Sequence, residues 1–399
     1  MSKLDWKHTR QFFMSALWTD FAGGMVVVAL PYFAMRLGAE SLGLGVLGAA
    51  RGLAYMVGCI PAALFADRLN RRTVIYVSCA LSAASLLLMP SASRLWHVVA
   101  ISVIWSATVA LFWPALFGWL GDSHRREQLG RATGAVNVAW SLGAMAGGAL
   151  AGWLYEVRPA LPFIAAAAPT LLACAVLARG TPGSQPAPLS ADTGRIDRNT
   201  WIRLSAAWVG NVSTCCMFGL LTGVFPDLGE KEIHITPAVF GVLVAILGAG
   251  RTLIYASALW RHAHLQDWRL AVVGQMVAAG MLATVSFASA HGWLALVFAV
   301  VGLSVGVAYY LALYRSLEGE GSRGLKCGIH EATLLGGVLI GTLGGGYIAD
   351  RWGLRAPYVP TACFAVVLVA VQVVLNLSAG QPGARPQEAE SISPPPGPP

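Results

Sequence analysis

The chain has 399 residues, of which 56% are hydrophobic and only 12% are charged, and its mean hydropathy is +0.63. This is more apolar material than the core of a water-soluble domain can bury, so the composition excludes a soluble protein and predicts an all-α integral membrane protein. The net charge of +8 does not indicate a nucleic-acid partner, because the basic residues are distributed as a membrane topology requires.

Twelve apolar runs are each long enough to cross a bilayer core of ~30 Å as a helix that rises 1.5 Å per residue. The first run is too long for the core of a signal peptide and no cleavage site follows it, so we expect a retained helix. The predicted helices cover residues 12–35, 42–66, 73–91, 96–120, 130–154, 160–179, 202–226, 236–259, 269–290, 293–315, 327–349 and 357–377.

The basic residues predict the orientation of these helices. If both termini are cytoplasmic, 19 of the 27 Lys and Arg residues lie on the cytoplasmic side and 6 on the other side. Positive residues accumulate in cytoplasmic loops. We therefore expect a multi-pass protein of the plasma (inner) membrane with both termini in the cytoplasm.

A break in the apolar pattern divides the chain into two halves. Residues 180–201 are rich in Pro, Gly, Ser and charge, which is typical of a cytoplasmic linker. The linker separates a six-helix bundle, residues 1–179, from a second one, residues 202–378. The tail, residues 379–399, has almost no large apolar side chains and is expected to be disordered.

The two halves also resemble each other in sequence. LGAARGLAY (Leu47–Tyr55) and LGAGRTLIY (Leu247–Tyr255) are identical at six of nine positions, and the matching positions include Arg51 and Arg251. Residues 111–117 match 308–314 at a similar offset. Such a repeat indicates an internal duplication into two six-helix bundles that run the same way across the membrane.

The loop after the second predicted helix carries a more specific motif, with Ala63, Asp67, Arg68, Asn70, Arg71 and Arg72 at the spacing Gly-x-x-x-Asp-Arg-x-Gly-Arg-Arg. With this motif, two six-helix halves and a central linker, the chain resembles the major facilitator superfamily. Both glycines of the family pattern are replaced, by Ala63 and Asn70. The resemblance implies a transporter, not an enzyme, and gives Asp67, Arg68 and Arg72 the role of a conformational latch.

The repeated arginines are the first candidates for binding a substrate. At 1.5 Å per residue, Arg51 and Arg251 lie ~15–22 Å below the outer edge of their helices, near mid-membrane. Two planar guanidinium groups at that depth could hold an anionic group between the halves. The alternative is an internal ion pair that joins helices, with Asp20 as the partner of Arg51.

Three residues are candidates for proton coupling. Asp20 lies inside the first apolar run, where burial favours the neutral carboxyl group and makes it a possible proton carrier. His330 and Glu331 open the eleventh helix, where they could relay protons, although a glutamate in a first turn also complements the helix dipole.

Aromatic residues are concentrated on the first, fourth and tenth helices. The resemblance places these helices around a central cavity, so Trp18, Trp113, Tyr309 and Tyr310 could form an apolar wall for the substrate. Packing explains such stripes equally well. The glycines of the fifth and eleventh helices recur every four residues, which predicts close helix contacts.

We find no signal for a cofactor. The sequence has no nucleotide-binding loop, zinc-ligand spacing or nucleophile elbow. Cys215, Cys216 and Met217 could bind a soft metal, but no matching Met or His array is nearby. We therefore expect no metal and no cofactor.

These observations predict a secondary transporter that moves a small organic solute, with an anionic group, by alternating access. The partners are the substrate, a proton or counter-solute and the lipid bilayer, with no nucleic acid, and a monomer is expected from the resemblance. One alternative is a polyspecific proton-driven efflux pump for amphipathic compounds. Another is a membrane assembly factor that no longer transports.

Overall fold

In a computed structural model the chain is described for residues 6–68, 70–124, 126–179, 197–317 and 323–379; within helices, the side chains of residues 7–8, 60–68, 122, 126–127, 129, 259–263 and 323–325 are not described. The described residues contain twelve helices that are long and apolar enough to cross a membrane. They are α1 (Trp6–Arg36), α2 (Ser41–Arg68), α3 (Arg71–Leu88), α4 (Leu95–Ser123), α5 (Arg126–Val157), α6 (Leu161–Ala178), α7 (Arg198–Ile233), α8 (Pro237–Leu265), α9 (Trp268–Ala283), α10 (His291–Leu317), α11 (Arg323–Trp352) and α12 (Tyr358–Ser378).

The predicted helices are confirmed, and the largest difference lies in α7. This helix begins at Arg198 and runs to Ile233, whereas the sequence predicted residues 202–226. It continues through two π-helical turns, Leu220–Val224 and Gly229–Ile233. Asp227 and Lys231 lie beyond the predicted helix end. The helix continues through them because the buried Asp227 forms an ion pair of 2.8 Å with Lys231, one turn later.

A polar cap fixes the start of α7. The backbone N–H groups of Asn199 and Thr200 donate to the carboxylate of Asp197 at 3.1 and 3.0 Å. These hydrogen bonds hold the pKa of Asp197 below its ordinary value. The seventh helix therefore begins within the predicted linker; residues 180–196 of that linker, and the tail from residue 380, lie outside the described residues.

The helix contacts repeat between the two halves. In the first half α1 packs on α5 and α6, α2 on α4, and α3 on α4 and α6. In the second half α7 packs on α11 and α12, α8 on α10, and α9 on α10 and α12, which is the same pattern shifted by six helices. The halves meet through two equivalent contacts, α5 with α8 and α2 with α11. This architecture agrees with the duplication that the sequence predicts.

The two faces of the bundle are defined by the chain. The face that carries the start of α1, the start of α7 and the end of α12 is called the terminal face. The face that carries the connections 37–40, 158–160, 234–236 and 353–357 is called the far face. The cavity described below lies between the two halves.

The glycines of α5 lie where the helices approach most closely. A Cβ added to Gly143 or Gly147 would meet the backbone of Leu17 or Phe21 in α1, and one added to Gly152 would meet the Pro237 carbonyl in α8. On α11, Gly337 and Gly341 lie in the same way against α7. Small residues at this spacing let helix backbones touch in a membrane.

We expect Gly147→Ala to lower the thermal stability of the purified protein. The added methyl group would collide with the backbone of Phe21, and overpacking of this kind costs about 1–3 kcal/mol. The control is Gly280→Ala on α9, where an added Cβ meets no atom within 4 Å. That variant is expected to keep or raise the melting temperature, because alanine is the better helix former; equal melting temperatures for both variants would contradict this view of α5.

Candidate functional site

A cavity of about 270 Å³ lies between the two halves and is lined by residues of α1, α2, α4, α5, α7, α10 and α11. Its volume is just below the range of about 300–1,000 Å³ typical of sites for drug-sized ligands. Five of the residues singled out in the sequence line it: Asp20, Arg51, Trp113, Tyr309 and Glu331. The structure thus brings together candidates from five different helices.

Arg51 is the cation of the cavity wall. Its guanidinium carbon lies 5.2 Å from the centre of the Trp105 ring, on α4. Its buried Nε atom has no hydrogen-bond partner, and no carboxylate of the described residues lies within 4 Å of the side chain. The proposed internal pair with Asp20 is therefore absent from this structure. A guanidinium group that faces a cavity without a carboxylate partner can bind an anion there.

Arg251 occupies the equivalent position in α8 but is placed differently. It is 9% exposed and does not contribute to the cavity wall. Its guanidinium lies 4.3 Å from the centre of the Trp140 ring, and its Nε atom donates to Ser141 Oγ at 3.1 Å. Both contacts are with α5, so Arg251 joins the two halves. The sequence suggested that both arginines hold the substrate, but only Arg51 lies in the cavity wall.

Two carboxyl groups share the cavity with Arg51. Glu331, on α11, accepts a hydrogen bond of 3.3 Å from the hydroxyl of Tyr55, on α2. Asp20, on α1, lies in the same wall. The hydrogen bond of Glu331 therefore joins a carboxyl group of the second half to a tyrosine of the first.

His330 lies behind the wall instead of on it. Its side chain is fully buried, neither ring nitrogen has a hydrogen-bond partner, and the ring packs against Tyr309 with centroids 4.9 Å apart. The direct relay to the cavity mouth that the sequence suggested has no hydrogen-bonded path through His330 in this structure.

The aromatic candidates divide in the same way. Trp113 stacks on Phe117, and both line the cavity. Trp18 packs against Phe21, and Tyr310 stacks on Tyr314; neither Trp18 nor Tyr310 is part of the wall. Trp113 and Tyr309 thus lie in the cavity wall. Helical spacing alone does not predict the rotation that directs Trp18 and Tyr310 away from it.

The latch motif is described only in part. Asp67 and Arg68 lie in α2, but their side chains are outside the described residues. Arg72 donates to the Leu177 carbonyl at 3.3 Å and lies 5.2 Å from the centre of the Trp119 ring. Asn70 accepts from the Arg72 N–H at 3.0 Å and caps α3 with an extended backbone (φ −60°), so this turn does not require a glycine.

Tyr55, Trp105 and Trp140 were missed by the sequence analysis although all three line the cavity. Tyr55 is the last residue of the repeated segment, four residues after Arg51, so the repeat itself contained the signal. Cys215 and Cys216, considered for a metal, pack instead against Gly337 and Gly341 of α11. The described residues contain no cluster of three potential metal ligands.

The far face of the cavity is closed by contacts between the halves. Ser41, at the start of α2, donates to Asp227 of α7 at 2.5 Å, and Tyr32 donates to the Ile235 carbonyl at 3.5 Å. The Glu156 carboxylate accepts from the Ala238 N–H at 3.0 Å. These three contacts, together with the glycine contacts of α2 with α11, form a gate on the far face.

We expect Asp227→Ala to open this gate. The substitution removes the buried acceptor that holds Ser41, and the partner of Lys231 with it. The reaction of Leu44→Cys, which is 1% exposed inside the gate, with a bulky maleimide should become several times faster in proteoliposomes. Glu232→Ala is the control, because it removes an ion pair with Arg355 inside one half; equal acceleration by both substitutions would contradict the role of Asp227.

Comparison with known proteins agrees with this architecture. The sequence profile of the Major Facilitator Superfamily matches residues 12–319. No curated protein matches the chain at a significant level. The match to the profile covers more than half of the chain.

Three solved structures illustrate that likeness. A bacterial homologue of the human lysosomal transporter Spinster, inward-facing and unoccupied, has a TM-score of 0.75 at 14% identity and covers 96% of this chain and 100% of its own. A POT family transporter in complex with a thioalcohol-conjugated peptide has a TM-score of 0.75 at 13% identity, covering 94% and 96%. The nucleoside transporter NupG has a TM-score of 0.69 at 11% identity, covering 92% and 98%. The chain belongs to the major facilitator superfamily and is a multi-pass membrane transporter, not an enzyme.

Proposed function

We propose that the protein is a proton-coupled secondary transporter for small organic anions, which bind to Arg51 in the central cavity. The observation that carries this proposal is the Arg51 guanidinium, which faces the cavity with a buried, unpaired Nε and no carboxylate partner among the described side chains. Leaving a cation without a counter-ion in a low-dielectric site is costly. A carboxylate substrate supplies the missing partner.

The proton-coupling part rests on Asp20 and Glu331. Both carboxyl groups line the same cavity as Arg51. An anion that enters the cavity repels any negative charge already there, so its binding favours protonation of a neighbouring carboxyl group. By linkage, protonation then favours anion binding to the same extent. Asp20 is the proposed proton carrier, with Glu331 as the second group.

The transport cycle requires the halves to rock about this site. The gate on the far face is closed in this structure. We therefore assign the structure to the state in which the cavity is reached from the terminal face. The excess of basic residues supports a cytoplasmic terminal face, and the plasma membrane is part of the same proposal. Tyr55 and Glu331 link α2 to α11 at the cavity, so a change in the protonation of Glu331 is transmitted to the contact between the halves.

The test is a thermal-unfolding screen of the purified protein, followed by transport. A ligand that binds the folded state raises its stability with occupancy. Carboxylates are expected to stabilise the protein, whereas matched alcohols and amines are not, and an inward proton gradient is expected to drive uptake of the strongest carboxylate into proteoliposomes. Stabilisation by amines or neutral compounds only would refute the anion site.

An efflux pump for amphipathic compounds is the second candidate. Four aromatic residues of the cavity wall, Trp113, Phe117, Trp140 and Tyr309, favour it. In that case Arg51 has a structural role on Trp105. Stabilisation by hydrophobic cations that is unchanged in Arg51→Gln would favour the pump over the anion transporter.

A further inference from the structure

The cavity is chemically divided along the membrane normal. Its charged groups and its serine and tyrosine hydroxyls lie at the middle of the protein and toward the terminal face, on Asp20, Arg51, Tyr55, Ser106, Tyr309 and Glu331. The position of each residue along its helix shows this division. Toward the far face, each helix that contributes a charged group continues into apolar residues: Val27 and Leu30 on α1, Leu44 and Leu47 on α2, and Val338 on α11.

The end of the cavity toward the far face, lined by Leu30, Pro31, Leu44, Leu47, Thr222 and Thr342, is called the blind end. Its two threonines do not make it polar. The Thr222 hydroxyl donates to the Phe218 carbonyl at 2.8 Å, and the Thr342 hydroxyl donates to the Val338 carbonyl at 2.9 Å. Each hydroxyl donor is therefore already used within its own helix.

The blind end is also closed. Above it, Ser41 and Asp227 form the gate, and an added Cβ on Gly45 would meet the Thr342 carbonyl, so α2 and α11 touch there. From Arg51 to Leu44 is seven residues, which corresponds to about 10 Å along α2. An extended chain advances about 1.2 Å per backbone atom, so this depth accommodates about eight chain atoms.

We propose that the substrate is an amphipathic monocarboxylate, with its carboxylate at Arg51 and an apolar chain of about eight carbons in the blind end. This inference rests on the proposed anion transport and adds the substrate class. It excludes sugars, nucleosides and other polyhydroxylated solutes, because their hydroxyl groups would lose water in the blind end without gaining partners. The apolar chain provides the affinity, and Arg51 provides the orientation.

The experiment measures the binding of straight-chain alkanoates from two to twelve carbons to the purified protein by calorimetry. Each methylene group that enters the blind end is expected to tighten binding about fourfold. The rise should stop near eight carbons, and 6-hydroxyhexanoate should bind more weakly than hexanoate. An affinity that is independent of chain length, or higher for the hydroxylated chain, would overturn the inference.

A matched pair of variants distinguishes binding in the blind end from partitioning of the alkanoates into the detergent. Leu47→Phe, in the cavity wall, fills the blind end and should shift the optimum to shorter chains, whereas Val46→Phe, the preceding residue of α2 and 44% exposed, should leave it unchanged. Equal optima in both variants would also overturn the inference. If short and long alkanoates bind equally but lose affinity in Arg51→Gln, the proposed anion transport survives and only the substrate class fails; if no alkanoate binds at all, both fail.

Discussion

Arg51→Gln is expected to weaken carboxylate binding by about a hundredfold while leaving the protein folded. The guanidinium is the one cation of the described cavity wall, and it offers a bidentate, charge-assisted hydrogen bond that glutamine cannot replace. Hydrogen bonds to charged groups contribute about 1.5–3 kcal/mol each, which is consistent with a loss of that size. Calorimetry with hexanoate measures it directly.

Two further variants serve as controls for Arg51→Gln. Arg51→Lys keeps the charge but not the planar fork, and should lose about tenfold. Arg158→Gln removes an exposed arginine outside the cavity and should bind like the unmodified protein. If Arg51→Gln binds hexanoate normally, Arg51 is a structural partner of Trp105 and the anion site lies elsewhere.

Asp20→Asn is expected to abolish uphill transport but not exchange. The amide cannot take up a proton, so the solute should only equilibrate across the membrane, whereas the unmodified protein with one proton per anion should reach about tenfold accumulation per pH unit. Substrate exchange between two equal pools needs no net proton movement and should continue. Initial rates in proteoliposomes with an imposed pH gradient measure both quantities, after subtraction of the rate in protein-free liposomes, which is due to passive permeation of the neutral acid.

Glu331→Gln distinguishes the two carboxyl groups. Glutamine still accepts a hydrogen bond from Tyr55, so the contact between α2 and α11 is kept. If this variant loses accumulation while Asp20→Asn retains it, the proton carrier is Glu331, and the assignment to Asp20 is wrong.

The sequence predicted the twelve helices well because long apolar runs have few alternatives in a bilayer. It failed at the end of α7, because the charged residues Asp227 and Lys231 lie beyond the predicted apolar run and were expected in a loop. The sequence does not show that Asp227 will be buried, because its hydrogen-bond partner, Ser41, lies on another helix.

The sequence could not predict that the two repeated arginines would differ. At the repeat offset of 197 residues, Trp105 of α4 corresponds to Gly302 of α10. An added Cβ on Gly302 would meet the Leu247 backbone, and one on Gly306 would lie 3.2 Å from the Arg251 Cα, so α10 packs closely on α8. In the first half, Trp105 and Arg51 both border the cavity instead. Divergence at one neighbouring helix thus gives equivalent arginines different environments.

Side-chain rotation explains the remaining differences. Asp20 and Arg51 lie on neighbouring helices at similar depth, which suggested an ion pair, but neighbouring in sequence order does not fix which faces meet. The structure directs Arg51 to Trp105 of α4 and Arg251 to Trp140 of α5. Such choices depend on the packing of several helices at once.

The measurement that tests the account most directly is proton uptake when hexanoate binds to the purified protein in weakly buffered detergent solution near pH 7. No membrane is present, so passive permeation of the acid plays no part. If anion binding at Arg51 is coupled to a carboxyl group, binding takes up a proton, up to one per anion bound, and the uptake disappears in Asp20→Asn. Hexanoate binding without proton uptake, or with the same uptake in Asp20→Asn and Glu331→Gln, would contradict the proposed coupling.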